Sequence, residues 1–365
     1  MIMKITVTQE NLNRALSAVS RIASSKTSLP ILSNILIKTD NNRLCVAATN
    51  LEIASVYYIG AKVTSEGSLT IPARLASEFV NQLPKSNVDL KVDSTKLHIA
   101  SGNYKSTING MVADEFPELP TIEPKSTLVL PASLLKQAIA QTVITASHDD
   151  TRPVLTGVLC YSRDGQMYMA ATDGYRLSER RLVETKEDFS ALVPASTLQE
   201  IARVIPEDLD EVTMLIDDSQ VRFAMGDIEV TSRLIDGKFP DYQQLIPKST
   251  DIVVKVKAAE LGRITKIASL FARESGGSVT LHTDEARQMV SIHSIASQLG
   301  ENTSETEGEI SGEGSVTLNS RYLLEALGCM ETPEITFGFS GKLAPCVLRP
   351  DGDVNYQHIV MPLKS

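Results

Sequence analysis

Three tandem α+β domains, each with two helices packed on antiparallel sheet, are predicted by three observations. Motifs recur at one fixed offset, an apolar helix spacing recurs with them, and alternating strand patterns fill the space between. Leu29-Pro30-Ile31-Leu32 returns as Arg152-Pro153-Val154-Leu155, Ala48-Thr49-Asn50-Leu51 as Ala171-Thr172-Asp173-Gly174, and Phe116-Pro117-Glu118-Leu119 as Phe239-Pro240-Asp241-Tyr242. All three pairs lie 123 residues apart, a register that chance matches would not keep across a domain length. Ile71-Pro72-Ala73-Arg74-Leu75 returns as Val193-Pro194-Ala195-Ser196-Thr197 and, more diverged, as Leu318-Asn319-Ser320-Arg321-Tyr322. The chain therefore divides into 1–125, 126–249 and 250–365, units too long for solenoid repeats.

Each unit opens with a short strand: Lys4-Ile5-Thr6-Val7, then Thr127-Leu128-Val129-Leu130, then Ile252-Val253-Val254-Lys255-Val256. A helix follows, with apolar residues at i, i+3, i+4 and i+7, as in Leu12, Ala15, Leu16, Val19, Ile22 and Ala23; its counterparts begin near Leu135 and Leu261. Alternating strands come next, such as Leu44-Val46-Ala48 and Met167-Met169-Ala171. A second helix is expected from Ala73 to Leu83, Ala195 to Ile205 and Ser320 to Met330. Further strands complete each unit, as in Val88-Leu90-Val92 and Leu97-Ile99.

Composition excludes several function classes. The 365 residues are 42% hydrophobic and 22% charged, ordinary for a globular protein. No apolar run approaches the ~18 residues of a membrane span. Thr8, Gln9 and Glu10 stand where a secretion signal would continue, so a cytoplasmic location is expected. Cys45, Cys160, Cys329 and Cys346 are scattered without a CxxC pair and read as reduced, buried small hydrophobes. His148, Asp149 and Asp150 raise the alternative of a metal-dependent hydrolase. Three adjacent side chains on regular backbone cannot all face one ion, and no distant His/Cys cluster completes a shell, so no metal and no catalysis are expected. Thr172-Asp173-Gly174 could also carry a catalytic acid, but its first-repeat counterpart Thr49-Asn50-Leu51 has no carboxylate, which favours a strand-ending turn.

The net charge of −10 argues against a nucleic-acid partner until its distribution is considered. Residues 11–28 hold Arg14, Arg21 and Lys26 with no acid, 132–148 hold Lys136 with none, and 261–273 hold Arg263, Lys266 and Arg273 with none. These windows carry +7, so the rest of the chain carries −17. Acids gather at Glu207, Asp208, Asp210 and Glu211 and between Glu301 and Glu313. Basic helix faces repeated in three domains suit phosphate neutralisation, with acids elsewhere limiting adhesion. Trp is absent and aromatics are 5%, with no zinc finger or helix-turn-helix punctuation, so binding to DNA is expected without sequence preference. A repeat scaffold that binds only proteins is the other alternative, and it leaves the basic helix faces unexplained.

Over its whole length the chain resembles the beta subunit of bacterial DNA polymerase III, the sliding-clamp family. The resemblance is carried by Ser28-Leu29-Pro30-Ile31-Leu32, Ile71-Pro72-Ala73-Arg74, Ala171-Thr172-Asp173-Gly174-Tyr175-Arg176-Leu177, Phe239-Pro240-Asp241-Tyr242 and Val360-Met361-Pro362-Leu363. It implies a head-to-tail homodimer forming a six-domain ring, the DNA clamp fold, with the helices lining the hole. Twelve helices spaced about 10 Å apart would enclose roughly 28 Å, wider than a ~20 Å duplex. It implies a processivity factor of DNA replication, not an enzyme, whose ring encircles double-stranded DNA and slides. Its implied partners are the replicative DNA polymerase catalytic subunit, a clamp loader, and repair or translesion polymerases or mismatch-repair proteins, with no membrane partner. No cofactor is implied, because the ATP for ring opening belongs to the loader. The expected location is the cytoplasm, on the nucleoid during replication.

The resemblance and the basic helices together nominate Arg14, Arg21, Lys26, Arg74, Lys136, Arg152, Arg203, Arg263 and Lys266 as DNA contacts. Pro153-Val154 stand where better-known members carry an aromatic pair. The resemblance also implies a partner-peptide cleft between the second and third domains, lined by Leu155, Thr172, Gly174, Tyr175, Arg176, Leu177, Pro240, Leu245, Val360, Met361, Pro362 and Leu363. Here Tyr175 replaces a familiar histidine and Gln243-Gln244 a basic pair. Leu270 and Phe271, opposite Leu83 and Ile108, are the implied dimer contact. The C-terminal run itself is unusual, because four apolar residues and a proline near a free end need a covering surface. Ile359 and Val360 read as a final edge strand of the third domain, and Met361, Pro362 and Leu363 as a border of the cleft.

Overall fold

In the computed structural model, residues 3–23, 29–297 and 300–364 are described. The first repeat runs β1 (Lys4–Thr8), α1 (Gln9–Val19), β2 (Asn34–Asp40), β3 (Arg43–Thr49), β4 (Ile53–Gly60), β5 (Lys62–Ser65), β6 (Ser68–Pro72), α2 (Ala73–Asn81), β7 (Asn87–Asp93), β8 (Lys96–Ser101) and β9 (Tyr104–Asn109). The second runs β10 (Ser126–Pro131), α3 (Ala132–Val143), β11 (Gly157–Arg163), β12 (Gln166–Thr172), β13 (Arg176–Glu184), β14 (Ser190–Pro194), α4 (Ala195–Val204), β15 (Glu211–Ile216), β16 (Gln220–Met225) and β17 (Ile228–Arg233). The third runs β18 (Ile252–Lys257), α5 (Ala258–Phe271), β19 (Ser278–Asp284), β20 (Met289–Ala296), β21 (Gly300–Glu307), β22 (Glu309–Ser311), β23 (Gly314–Asn319), α6 (Ser320–Gly328), β24 (Glu334–Phe339), β25 (Cys346–Pro350) and β26 (Tyr356–Val360).

The same local device starts the first helix of each repeat. The leading N–H groups of Gln9, Ala132 and Ala258 donate to the carbonyls of Ser86, Asp210 and Pro333, at 2.8–2.9 Å. Each acceptor lies just beyond the second helix of its own repeat, so one otherwise orphaned donor ties the ends of the repeat together. At α6 a side-chain cap is added, Asn319 accepting from the N–H groups of Arg321 and Tyr322.

The chain forms two compact units whose boundaries cut across the repeats: residues 1–133 with 200–234, and 134–199 with 235–365. The division follows the sheets. In the first unit, eight strands run β10-β15-β16-β17-β4-β3-β2-β6, so the last strand of the second repeat continues into β4 of the first, with Ile228 opposite Tyr57 and Ser232 opposite Ile53. A five-stranded sheet, β5-β1-β7-β8-β9, completes that unit. In the second unit, nine strands run β14-β11-β12-β13-β26-β25-β24-β18-β22, joined between repeats by β13 and β26, with Arg176 opposite Val360 and Arg180 opposite Tyr356. Its other sheet is β21-β20-β19-β23.

Two expectations need correction. Ile359 and Val360 do not form an edge strand, because β26 lies between β13 and β25 and both residues are buried. The helices are also less uniformly basic than the sequence windows imply. Glu10 and Glu260 occupy the first turns of α1 and α5, and Arg21 lies beyond the end of α1 at Val19. No helix among the described residues is long and apolar enough to cross a membrane.

Candidate functional site

The residues nominated for the cleft all fall within the second unit, several of them on the turn joining β12 to β13. Thr172 Oγ1 donates to the Arg176 carbonyl at 2.7 Å and accepts from the Gly174 N–H at 3.0 Å. Asp173 Oδ1 accepts from the N–H groups of Tyr175 and Arg176, and Gly174 takes a φ of 91°, open to glycine at little cost. The first repeat builds the same turn, with Asn50 Oδ1 accepting from Glu52 and Ile53 and Thr49 Oγ1 donating to the Ile53 carbonyl. An amide oxygen thus takes the role of the Asp173 carboxylate, which marks Asp173 as a turn residue and not a catalytic acid.

Arg176 is buried and engaged through Nε and Nη1. Its Nε donates to Asp173 Oδ2 at 3.0 Å, Nη1 pairs with Glu325, and the guanidinium lies 4.4 Å from the Tyr322 ring centroid. Arg321 holds the other oxygen of Glu325 at 2.8 Å. Despite its partial burial, the Glu325 carboxyl is held below the usual carboxylate range by these two arginines. Arg176 therefore shapes the site more than it offers a free charge to a ligand.

The turn exposes Tyr175, 64% accessible, while Leu177 beneath it is buried. Leu177 packs with Ile359, Phe239 and Tyr242, and Val154 and Ile246 lie against that cluster. The 239–246 segment thus rests on the face shared by β13 and β26 and presents Pro240 and the 44%-exposed Leu245. Beyond β26, the Met361 N–H donates to the Tyr175 carbonyl at 2.9 Å and that of Leu363 to the Thr317 carbonyl at 2.8 Å. Met361, Pro362 and Leu363 are half-buried. Thr172 and Val360 are buried in the sheet, and Leu155 is the buried end of a 3-10 turn, Pro153–Leu155, whose Pro153 is exposed.

Beside this floor opens a cavity of about 580 Å³, bordered by Leu155, Tyr175 and Arg176 among the expected cleft residues. It adds Ala146, Ser147, His148, Asp149, Thr151 and Arg152 on one side and Arg321 and Tyr322 of α6 on the other. Sequence reasoning missed the α6 pair because only the fold brings it to the turn; the recurrence of Arg74 as Arg321 was the available signal. The Asp149 carboxyl is pulled below its ordinary range by the Thr151 N–H, which donates to it at 3.0 Å. No group of metal-ligating residues occurs among those described.

The nominated DNA contacts separate into two kinds. Arg14, Lys136, Arg152 and Lys266 are exposed and form no ion pair among the described residues. Arg74 pairs with Glu78 at 2.8 Å and Arg263 with Glu260 at 3.2 Å, both on the surface. Arg21 and Arg203 converge on Glu200, which is buried: Arg21 Nη2 lies 2.7 Å and Arg203 Nη1 3.6 Å from its oxygens. The Glu200 hydrogen bond raises the Arg21 pKa further above its ordinary value. Lys26 lies outside the described residues. Of the nominated dimer contacts, Leu270 is 52% exposed and Phe271 half-buried, whereas Leu83 and Ile108 are buried in their own unit.

Family models of the DNA polymerase III beta subunit match along the chain: its N-terminal domain over residues 3–120, its central domain over 129–241 and its C-terminal domain over 243–364. The chain is 32% identical over 372 residues to the beta sliding clamp of Synechococcus elongatus, covering 99% of each. It is 30% identical over 380 residues to that of Bacillus subtilis, covering 100% of each. The solved DNA polymerase sliding clamp of Bacillus subtilis matches with a TM-score of 0.95 at 29% identity, and the DNA polymerase III beta subunit of Thermotoga maritima with 0.93 at 27%, each over 100% of both chains.

Proposed function

The chain belongs to the DNA polymerase III beta subunit family, the beta sliding clamps, and we propose that it closes head to tail with a second copy into a six-domain ring around duplex DNA. The observation that carries this reading is a missing third seam. β4, β13 and β21 hold the same place in their repeats, and so do the last strands, β9, β17 and β26. Two such pairs join within the chain, β17 to β4 and β26 to β13. Among the described residues the third pair is left as sheet edges, β9 ending one sheet and β21 another. Unpaired edges invite strand addition, and a second copy supplies both complements at once, closing a ring after two subunits. Their charges suit each other, Lys105 on β9 and Glu301, Glu305 and Glu307 on β21.

As a clamp the protein is a non-catalytic processivity factor. Exposed cations such as Arg14, Lys136 and Lys266 would meet phosphates without reading bases, which gives hold without sequence preference and permits sliding. The face formed by Leu177, Tyr175, Pro240, Leu245 and Met361 would receive a peptide of the replicative polymerase catalytic subunit. The clamp loader and repair, translesion or mismatch-repair proteins would use it in turn, in the cytoplasm on the nucleoid. The three domains would divide at 125 and 249, where the repeats divide. Loaded protein should stay on closed circular DNA and escape once the circle is cut. Equal retention on cut and closed DNA would refute encirclement, and no retention on either would favour a scaffold that binds only proteins.

A further inference from the structure

We propose that Glu179 is a positioning residue for the peptide cleft, one buried carboxylate that fixes two of the cleft's walls. The inference rests on the cleft reading above. Glu179 lies on β13 two residues past Leu177 and is 5% exposed. Its Oε2 accepts from the Tyr242 hydroxyl at 2.5 Å and the Tyr161 hydroxyl at 3.4 Å, and those hydroxyls are 2.7 Å apart. Its Oε1 accepts from Gln357 Nε2 at 3.0 Å, Gln357 being its register partner on β26. Arg163 Nη1, at 3.8 Å from Oε2, supplies counter-charge.

Each oxygen therefore holds a different wall. Tyr242 stacks edge-on against Phe239, with centroids 6.1 Å apart, and its carbonyl accepts from the Leu245 N–H at 2.9 Å. Pro240 and Leu245 are exposed, so burial of their own side chains does not fix them; Tyr242, between them, does. Gln357 stands three residues before Val360, where the chain leaves the sheet as the Met361–Leu363 wall. Burial and the neighbouring Glu179 charge raise the Tyr242 pKa, which keeps the hydroxyl a donor. Stability alone would not select this arrangement, since apolar residues of similar volume usually serve a buried seam as well as a charge does. A charge with directed partners fixes geometry, and a wall held before binding spares the peptide the cost of ordering it.

The test measures binding of a short fluorescein-labelled peptide carrying Gln, Leu and Phe to the full-length protein, well below its melting temperature. Tyr242→Phe, which removes only the anchoring hydroxyl, should weaken binding roughly tenfold, the size of one charge-assisted hydrogen bond. Glu179→Gln keeps an acceptor for Tyr242 and should lose less. Val221→Ala, a core truncation in the other unit, should lower the melting temperature while leaving affinity unchanged, so that instability alone cannot imitate the effect. If Tyr242→Phe binds within about twofold of the unmodified chain, whether or not it melts earlier, Glu179 does not position the cleft and the proposal falls. If the unmodified chain itself does not bind the peptide, the cleft reading falls and this inference falls with it.

Discussion

The backbone N–H of Met361 donates to the carbonyl of Tyr175 at 2.9 Å, carrying the pairing of β13 and β26 one residue past the last strand. The exposed Tyr175 of the β12–β13 turn and the segment after β26 are thereby fixed to each other. Deleting residues 361–365 removes this bond and that of Leu363 to Thr317 but leaves β26 paired on both sides. Two backbone hydrogen bonds are worth about 1–3 kcal/mol together. The truncated chain should remain folded and dimeric, keep its hold on DNA, and lose the labelled peptide. Peptide affinity within a few-fold of the intact chain would remove the tail from the cleft.

The division of the cations yields a second expectation. Arg14→Glu, Lys136→Glu and Lys266→Glu should each weaken DNA retention and lower the salt slope by about 0.9 for every phosphate no longer neutralised. Arg21→Ala should behave differently, because its charge is engaged with Glu200, which is buried and would keep, among the described residues, the counter-charge of Arg203 at 3.6 Å. Its loss should cost about 1–3 kcal/mol of stability with a smaller change in salt slope. Salt-titrated retention beside chemical denaturation separates the two. A large slope change for Arg21→Ala with unchanged stability would show that Glu200 does not hold it.

Much of this organisation was legible in the sequence, and what was missed has a common cause. The apolar helix spacing and the recurring motifs locate all six helices to within a few residues, because side-chain periodicity is a local property. Alternation shows which face of a strand is buried but not which strand lies beside it. Ile359 and Val360 therefore read as an edge until β13 is seen beside them. The same limit hid Glu179 and Arg180, charged neighbours that give no sequence sign of burial yet lie at the seam of two repeats. The acid-free windows failed for a simpler reason. The first and third open at Asn11 and Leu261, just past Glu10 and Glu260, which favour the positive end of the helix dipole.

Ring closure through β9 and β21 can be tested with paired proline variants. Neighbouring N–H groups on an edge strand point alternately inward and outward, so Ser304→Pro and Glu305→Pro remove one of each. One variant should lose a bond to β20 and be destabilised, while the other should stay folded and become monomeric. Leu270→Ala with Phe271→Asp should also give monomers, since an unpaired carboxylate buried at an interface is costly. Sedimentation at low micromolar concentration reads the outcome. Dimers in both proline variants would place the interface elsewhere.

His358 gives the protein a pH dependence of predictable sign. The imidazole is fully buried on β26, opposite Ser178 on β13 and Leu348 on β25. Its Nδ1 lies 3.0 Å from the Tyr356 hydroxyl, which donates to the Gln141 carbonyl at 3.3 Å. With the Tyr356 proton committed to Gln141, Nδ1–H donates to the phenol oxygen and Nε2 is left bare, with no hydrogen-bond partner among the described residues. Protonation would place a charge on that unpartnered nitrogen. Burial above all, and the Arg176 guanidinium next, push the pKa down from 6.5 to about 3, with Glu325 opposing them only in part. The folded state thus holds the neutral ring while the unfolded chain takes up a proton below about pH 6.5. The contribution is fully present above that pH, is lost progressively as the pH falls, and levels off near the folded value. At pH 5 the loss amounts to about 2 kcal/mol. Other carboxylates titrate in the same range, so the informative quantity is the difference between the unmodified chain and His358→Gln, which cannot titrate. Denaturant unfolding at pH 7.5 and pH 5 should give a shallower loss for His358→Gln by about that amount. Parallel losses in the two proteins would mean that His358 is as easily protonated folded as unfolded, contrary to its burial at the seam.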